Sequence, residues 1–111
     1  MREYTITLYD LSKILVMQNY GKIENPLLGY VGETEPTELT IFLPSYYEGS
    51  FYVDHTVSGE WVEDETAYTD TEITYVPDFT LSAGDVYFRI RIEDSGTINY
   101  SDPIKFVVRN A

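Results

Sequence analysis

The chain has 111 residues, which is enough for one compact domain with its own hydrophobic core and too few for two. Aromatic residues make up 15% of it, an enrichment that favours strands over helices. Seven Lys and Arg against 19 Asp and Glu give a net charge of −12, which argues against binding to nucleic-acid phosphates or to anionic membrane surfaces.

The predicted elements are strands, because apolar and polar residues alternate with a period of two along most of the chain. Residues 4–8 form the first strand. Residues 10–18 can be a helix capped by Asp10 or a second piece of strand, and we favour the strand because the surrounding segments are strands. Residues 19–36 contain three Gly and two Pro and predict a long connection, with a short strand at residues 28–31.

The alternation continues to the end of the chain, and the remaining Gly and Pro residues fall between the strands or at their ends. The further predicted strands are residues 39–43, 51–57, 60–65, 73–75, 86–92 and 104–108. The sequence Val57-Ser58-Gly59-Glu60 predicts a tight turn that pairs His55 with Val62. About seven short strands in one chain predict a single all-β domain over residues 1–111, an antiparallel β-sandwich of the immunoglobulin-like type.

This sandwich makes two predictions that the structure can test. The apolar side of each strand should be buried, which gives the expected core of Ile6, Leu8, Leu39, Ile41, Phe51, Val53, Phe88, Ile90, Ile92, Phe106 and Val108. On the wet side, Arg89 and Arg91 of the penultimate strand should face Asp54, with Lys105 and Arg109 of the last strand nearby.

Residues 81–92, the polar turn at residues 94–96 and residues 101–103 resemble the last hairpin of fibronectin type III domains. That family carries Leu, Gly and Tyr at the spacing of Leu81, Gly84 and Tyr87. Residues 83–92 and 101–108 also resemble the end of immunoglobulin-like domains in phage baseplate and tail proteins. This second resemblance implies a structural protein of the virion.

The beginning of the chain is already strand-like and has no apolar stretch behind a basic start, so we expect no signal peptide. The chain has no cysteine, which argues against an extracellular disulfide scaffold. We therefore expect a soluble product made in the cytoplasm, and the resemblance to phage proteins adds the virion as its destination.

We expect no catalytic residue, no metal site and no cofactor. The chain has no Cys and a single His, His55, which lies mid-strand on the apolar side and is interpreted as a hydrogen-bonded core or rim histidine. The densest acidic patch fits no calcium-binding loop and is interpreted as a solvated surface. It comprises Glu60, Glu63, Asp64, Glu65, Asp70 and Glu72.

Aromatic residues are the candidate binding residues, because exposed Tyr and Trp are common at protein interfaces and stack on sugars. Tyr52, Trp61 and Tyr87 are predicted on the wet face of the central strands. The predicted loops at residues 45–49 and 94–102 lie at one pole of an immunoglobulin-like sandwich and carry Tyr46, Tyr47, Ile98 and Tyr100. These rings either contact a partner or fold back as lids over the ends of the core.

The leading hypothesis is a non-catalytic structural or protein-interaction module, a component of a phage tail or baseplate. Its partner would be another protein or a neighbouring domain, with a homo-oligomer as a further alternative. The second hypothesis is a carbohydrate-binding module that uses the exposed Tyr and Trp residues to hold a glycan. An enzyme that acts on glycans is the third.

Overall fold

A computed structural model describes residues 2–11, 14–19, 25–34, 37–44, 49–64, 66–69 and 71–111. All regular secondary structure in these residues is β-strand, which confirms the predicted all-β class. The strands are β1 (Arg2–Leu11), β2 (Ile14–Asn19), β3 (Leu27–Tyr30), β4 (Thr37–Phe42), β5 (Ser50–Thr56), β6 (Val62–Asp64), β7 (Ala67–Tyr68), β8 (Glu72–Tyr75), β9 (Gly84–Asp94), β10 (Thr97–Tyr100) and β11 (Ile104–Arg109).

The strands form two sheets that pack face to face as a β-sandwich. The first sheet has the order β2-β1-β4-β8-β7, and the second has the order β3-β11-β9-β5-β6, with β10 added beside β9. The predicted sandwich is therefore confirmed, and the penultimate long strand β9 lies between β5 and β11 as expected.

Two details differ from the predicted fold. The described residues contain eleven strand segments instead of about seven, because short strands such as β3, β7 and β10 lie along the sheet edges. Two pairs are also parallel, β1 with β4 and β3 with β11, so the sheets are mixed and not purely antiparallel. Alternation along a strand identifies its buried side, but it does not identify which strand lies beside it or in which direction that strand runs.

The favoured strand at residues 10–18 is confirmed, since Ile14–Asn19 folds back on β1 as the antiparallel strand β2. The short strand predicted at residues 28–31 is found one residue earlier, at Leu27–Tyr30. The hairpin from β5 to β6 has the predicted register, with His55 opposite Val62.

The core lies between the two sheets, and all eleven residues predicted to be buried are buried. Phe88 lies at its centre, with ring centroids 5.6 Å from Tyr75, 5.5 Å from Phe106 and 6.4 Å from Phe79. The rings of Tyr75 and Phe106 both meet Phe88 edge to face, the arrangement that the aromatic quadrupole favours. The core therefore links β8 of the first sheet to β9 and β11 of the second.

A candidate interaction surface

The candidate site is the outer face of the second sheet. Along β9 the residues with even numbers from Val86 to Ile92 are buried, so Tyr87, Arg89 and Arg91 point outward. Pairing with the neighbouring strands adds their outward residues to the same face, since Arg89 lies opposite Asp54 and Arg91 lies opposite both Tyr52 and Tyr100. We call this surface the aromatic–arginine face; it comprises Tyr52, Asp54, Trp61, Tyr87, Arg89, Arg91, Ile98 and Tyr100.

Asp54 is the centre of this face. Its side chain is only 4% exposed, and its Oδ2 accepts hydrogen bonds from Nε of Arg89 at 3.0 Å and from Nε of Arg91 at 3.3 Å. The predicted contact of Asp54 with both arginines is thus confirmed. A buried carboxylate between two guanidinium groups fixes the position of both, because hydrogen bonds between ionised groups are strong and directional.

The arginines in turn hold the aromatic rings. The guanidinium carbon of Arg89 lies 4.3 Å from the ring centroid of Trp61 and 4.2 Å from that of Tyr100, so Arg89 contacts two rings. The guanidinium carbon of Arg91 lies 4.4 Å from the ring centroid of Tyr52. Each such cation–π contact contributes on the order of 0.5–1 kcal/mol at a partly exposed site. The rings are therefore held against the sheet.

Arg91 has two further acidic neighbours. Its Nη1 lies 2.7 Å from Oε2 of Glu93, and its Nη2 donates to Oε1 of Glu63. Partial burial by itself lowers the pKa of Arg91, but the hydrogen bonds to Glu63 and Asp54 outweigh it and leave the pKa raised. Arg91 thus keeps its positive charge, and the acids around it leave little net charge at this end of the face.

The structure places five of the seven predicted binding residues on this one face. Tyr52, Trp61 and Tyr87 lie on the outer side of the second sheet, as predicted. Ile98 and Tyr100 lie there too, but the loop predicted at residues 94–102 is wrong, because residues 97–100 form β10. A tight turn with φ of 48° at Ser95 and 84° at Gly96 joins β10 to β9, as in a type I′ hairpin.

The remaining two predicted residues, Tyr46 and Tyr47, lie outside the described residues. Of the two loops predicted to form one pole, only the second, residues 94–102, is described in full, and it contains β10. The sequence reasoning missed that the aromatic and basic residues stack on each other. Their alternation along β9 was the available signal, since Tyr87, Arg89 and Arg91 share one side of a strand.

A second polar group lies inside the sandwich. His55 Nδ1 lies 2.7 Å from Oδ2 and 2.8 Å from Oδ1 of Asp64, and the Tyr75 hydroxyl donates to Oδ2 of Asp64 at 2.6 Å. The imidazole also stacks on Phe79, with centroids 3.9 Å apart and planes 7° from parallel. The interpretation of His55 as a hydrogen-bonded histidine of the core or rim is confirmed.

Burial controls the ionisation of this group. Burial raises the pKa of Asp64, and the hydrogen bonds from Tyr75 and His55 only partly oppose that effect. Burial and the hydrogen bond to Asp64 also raise the pKa of Tyr75 far above its ordinary value. The acidic patch predicted as a solvated surface is therefore wrong at Asp64, which faces the interior, while Glu65 and Asp70 lie outside the described residues.

A shallow cleft of about 360 Å³ opens beside the aromatic–arginine face, where β6 ends and leaves part of β5 uncovered. Rings and carboxylates line it together: Phe51, Tyr52, Glu63, Asp64, Thr66 and Tyr68. Tyr68 is exposed and meets the buried ring of Phe51 edge to face at 5.6 Å. An aromatic ring beside hydrogen-bonding oxygens can take the apolar side of a sugar.

A comparison with known protein families finds no model that matches the chain, and a comparison with curated proteins finds no significant relative. Within the described residues, no group of three or more His, Cys, Asp or Glu side chains is placed to hold a metal ion. The same part of the chain contains no helix that is long and apolar enough to cross a membrane.

Proposed function

We propose that this chain is a non-catalytic structural or protein-interaction module, and that it contacts a protein partner or a neighbouring domain through the aromatic–arginine face. The observation that carries the proposal is the arrangement around Asp54, which fixes two arginines and, through them, three aromatic rings. Tyr, Trp and Arg are the residue types that contribute most to binding at protein interfaces.

Exposure supports the same conclusion. Tyr87 is 37% exposed, Ile98 is 48% exposed and Tyr100 is 50% exposed, so a partner can contact them without any rearrangement of the sheet. Rings that are already held in place lose little conformational entropy on binding. A face built on β-strands is also more rigid than one built on loops.

The biological setting belongs to the same proposal. We propose an immunoglobulin-like or fibronectin type III-like domain of the kind present in phage baseplates and tails, incorporated into the virion. The sequence resemblance of residues 83–92 and 101–108 supports this setting. The order of the strands in the two sheets agrees with it.

A carbohydrate-binding module is the second candidate, and the cleft lined by Tyr52, Tyr68 and Glu63 is the observation that favours it. There the exposed ring of Tyr68 would stack on a sugar, and Glu63 would accept hydrogen bonds from its hydroxyl groups. This site is separate from Tyr87 and Tyr100, so the two candidates predict different sensitive residues.

The test replaces Tyr87 with a photo-crosslinking amino acid in the producing cells. We expect crosslinks to one or a few proteins from this position and none from the exposed position Thr80, which lies in the connection from β8 to β9. Equal crosslinking at both positions, or none at Tyr87, would contradict the proposal.

A glycan array with the purified chain separates the two candidates. Sugar binding that is lost in Tyr68→Ser and kept in Tyr100→Ser would favour the carbohydrate-binding module. No sugar binding, together with a crosslinked partner whose binding weakens in Tyr100→Ser, supports the interaction module.

A further inference from the structure

The outer face of the first sheet has an unusual composition for a surface. Residues paired across β1, β4 and β8 form a row of threonines, with Thr5 opposite Thr40 and Thr40 opposite Thr74. Beside this row Phe42 is 42% exposed, and further along β1 Tyr9 is 39% exposed. We call this surface the threonine face. Its centre is uncharged and partly apolar, which is the composition of the centre of a protein interface.

The charges on the threonine face are all of one sign in the part of the chain that the structure describes. Glu3 lies directly opposite Glu38 in the parallel pair of β1 and β4, and Glu72 lies opposite Phe42. Like charges directly opposite on neighbouring strands destabilise a sheet. None of the ion pairs between described residues involves Glu3 or Glu38, so this pair carries an uncompensated negative charge.

The outer face of the second sheet carries positively charged side chains along β11. Lys105 and Arg109 point outward from β11, because the even-numbered residues Phe106 and Val108 of the same strand are buried. Lys105 lies opposite the exposed Tyr87 of β9. Neither cation forms an ion pair with any described residue. One outward carboxylate of β9, that of Asp85, lies opposite Val107 and so between the two cations along β11, which leaves one net positive charge there. The β11 side of the aromatic–arginine face thus offers two cations beside an exposed ring.

We propose that the threonine face of one copy binds the β11 side of the aromatic–arginine face of a second copy. In this contact Glu3 and Glu38 meet Lys105 and Arg109, while Phe42 and the threonine row meet Tyr87. The proposal rests on the proposed function, because it names a second copy of this chain as one partner of that face. Pairing two threonine faces is excluded, since it would bring Glu3, Glu38 and Glu72 of both copies together.

The overall charge determines how this contact depends on salt. The net charge of −12 makes copies repel one another at long range. Salt screens that repulsion, since the Debye length falls from about 30 Å at 0.01 M to about 8 Å at 0.15 M. Opposite charges that become buried in the contact are screened much less, so association should strengthen over this range.

Two different faces in contact give a head-to-tail arrangement. Such a contact does not close on itself after two copies, so it continues into a ring or an open stack. Each copy in the assembly uses both faces at once. Blocking one face must therefore leave the other face able to bind.

The experiment measures the size of the full chain by sedimentation velocity at increasing protein concentration, at 0.01 M and 0.15 M salt. We expect assemblies larger than a dimer for the native chain at 0.15 M salt. Glu38→Lys reverses the charge on the threonine face and Lys105→Glu reverses it on the β11 side, and each alone should leave only monomer. Glu60→Lys changes the net charge as Glu38→Lys does, but in the turn before β6, and should assemble like the native chain.

Mixing the two variants gives the decisive result. Glu38→Lys keeps its β11 side and Lys105→Glu keeps its threonine face, and the two reversed charges attract each other as well, so the mixture should assemble although each variant alone does not. Circular dichroism and thermal melting of each variant check that it is folded. A native chain that stays monomeric at all concentrations, or a mixture that does not associate, overturns the inference. If crosslinking from Tyr87 to another protein persists in that case, the proposed function stands while the inference fails.

Discussion

The Tyr75 hydroxyl donates a 2.6 Å hydrogen bond to the Asp64 carboxylate, and this bond joins β8 of the first sheet to β6 of the second. His55 of β5 contacts the same carboxylate at 2.7 Å, so three buried side chains on three strands satisfy one another. A buried polar group of this kind stabilises the fold only while every member has its partner. The stability of the fold should therefore depend on pH.

Tyr75→Phe tests the alkaline side of that dependence. Burial and the hydrogen bond to Asp64 raise the pKa of Tyr75 in the folded chain. The neutral phenol therefore stabilises the fold fully at a pH below the pKa of about 10 that Tyr has in the unfolded chain. This stabilisation is lost as the pH rises further. Relative to Tyr75→Phe, the native chain should lose about 1.4 kcal/mol of unfolding free energy per pH unit above about pH 10. Urea unfolding at several pH values measures it, and a difference that is constant with pH contradicts the assignment.

Asp54→Ala tests the centre of the aromatic–arginine face. Removing the carboxylate leaves Arg89 and Arg91 partly buried without their shared partner, and we expect a loss of about 2–4 kcal/mol because both arginines keep some exposure. Glu63→Ala is the matched control: its side chain is 59% exposed, so its loss should cost less than about 1 kcal/mol.

The single tryptophan, Trp61, gives a second readout for Asp54→Ala, since its ring rests on Arg89. Its fluorescence should change in the folded state of Asp54→Ala and stay unchanged in Glu63→Ala. Equal stability losses in the two variants would show that Asp54 does not organise this face.

Phe88→Ala tests the core. Phe88 is buried and meets the rings of Tyr75, Phe79 and Phe106, so truncation leaves a cavity between the sheets and should cost about 3–5 kcal/mol. Phe42→Ala removes the same atoms from an exposed position and should change stability by no more than about 0.5 kcal/mol in a monomer. Chemical unfolding at a concentration below that of any assembly measures both, and comparable losses would contradict the placement of Phe88.

Gly49→Ala tests the chain just before β5. Gly49 has a φ of 116°, and a Cβ there would overlap the backbone carbonyl of Glu93, so the substitution requires the start of β5 to move away from β9. Gly59 has a φ of 96° with no heavy atom within 4 Å of the added Cβ, so Gly59→Ala carries only the backbone strain of about 1–2 kcal/mol. Gly49→Ala should be the more destabilising in thermal melts, and the reverse order would contradict the close approach to Glu93.

Several features of the fold could be predicted because they are local. Alternation along residues 86–92 identifies the buried side of β9, and the turn at Ser58-Gly59 fixes the register that places His55 opposite Val62. The contact of Asp54 with Arg89 and Arg91 follows once β9 is placed beside β5. These predictions depend on side-chain direction and on a common strand order, both of which a single sequence carries.

The sequence predicted which residues belong to the candidate site, but it did not predict which strands carry them or that the rings stack on the arginines. The sequence identified Tyr52, Trp61 and Tyr100 as exposed aromatic residues, but it assigned Tyr100 to the loop that an immunoglobulin-like sandwich has before its last strand, residues 94–102. That segment becomes β10 because β9 continues to Asp94 and offers it a partner. Strand formation at a polar edge depends on a neighbour, which the local sequence does not encode.

The sequence by itself determined the all-β class, the buried side of each main strand and the excess of acidic charge. Only the tertiary structure decided that β1 and β4 run parallel and place Glu3 opposite Glu38, and that Asp64 is buried against Tyr75. The physical reason is that alternation and composition act over a few residues. The neighbour of a strand, and hence the partner of each charge, is set by contacts between segments far apart in the chain.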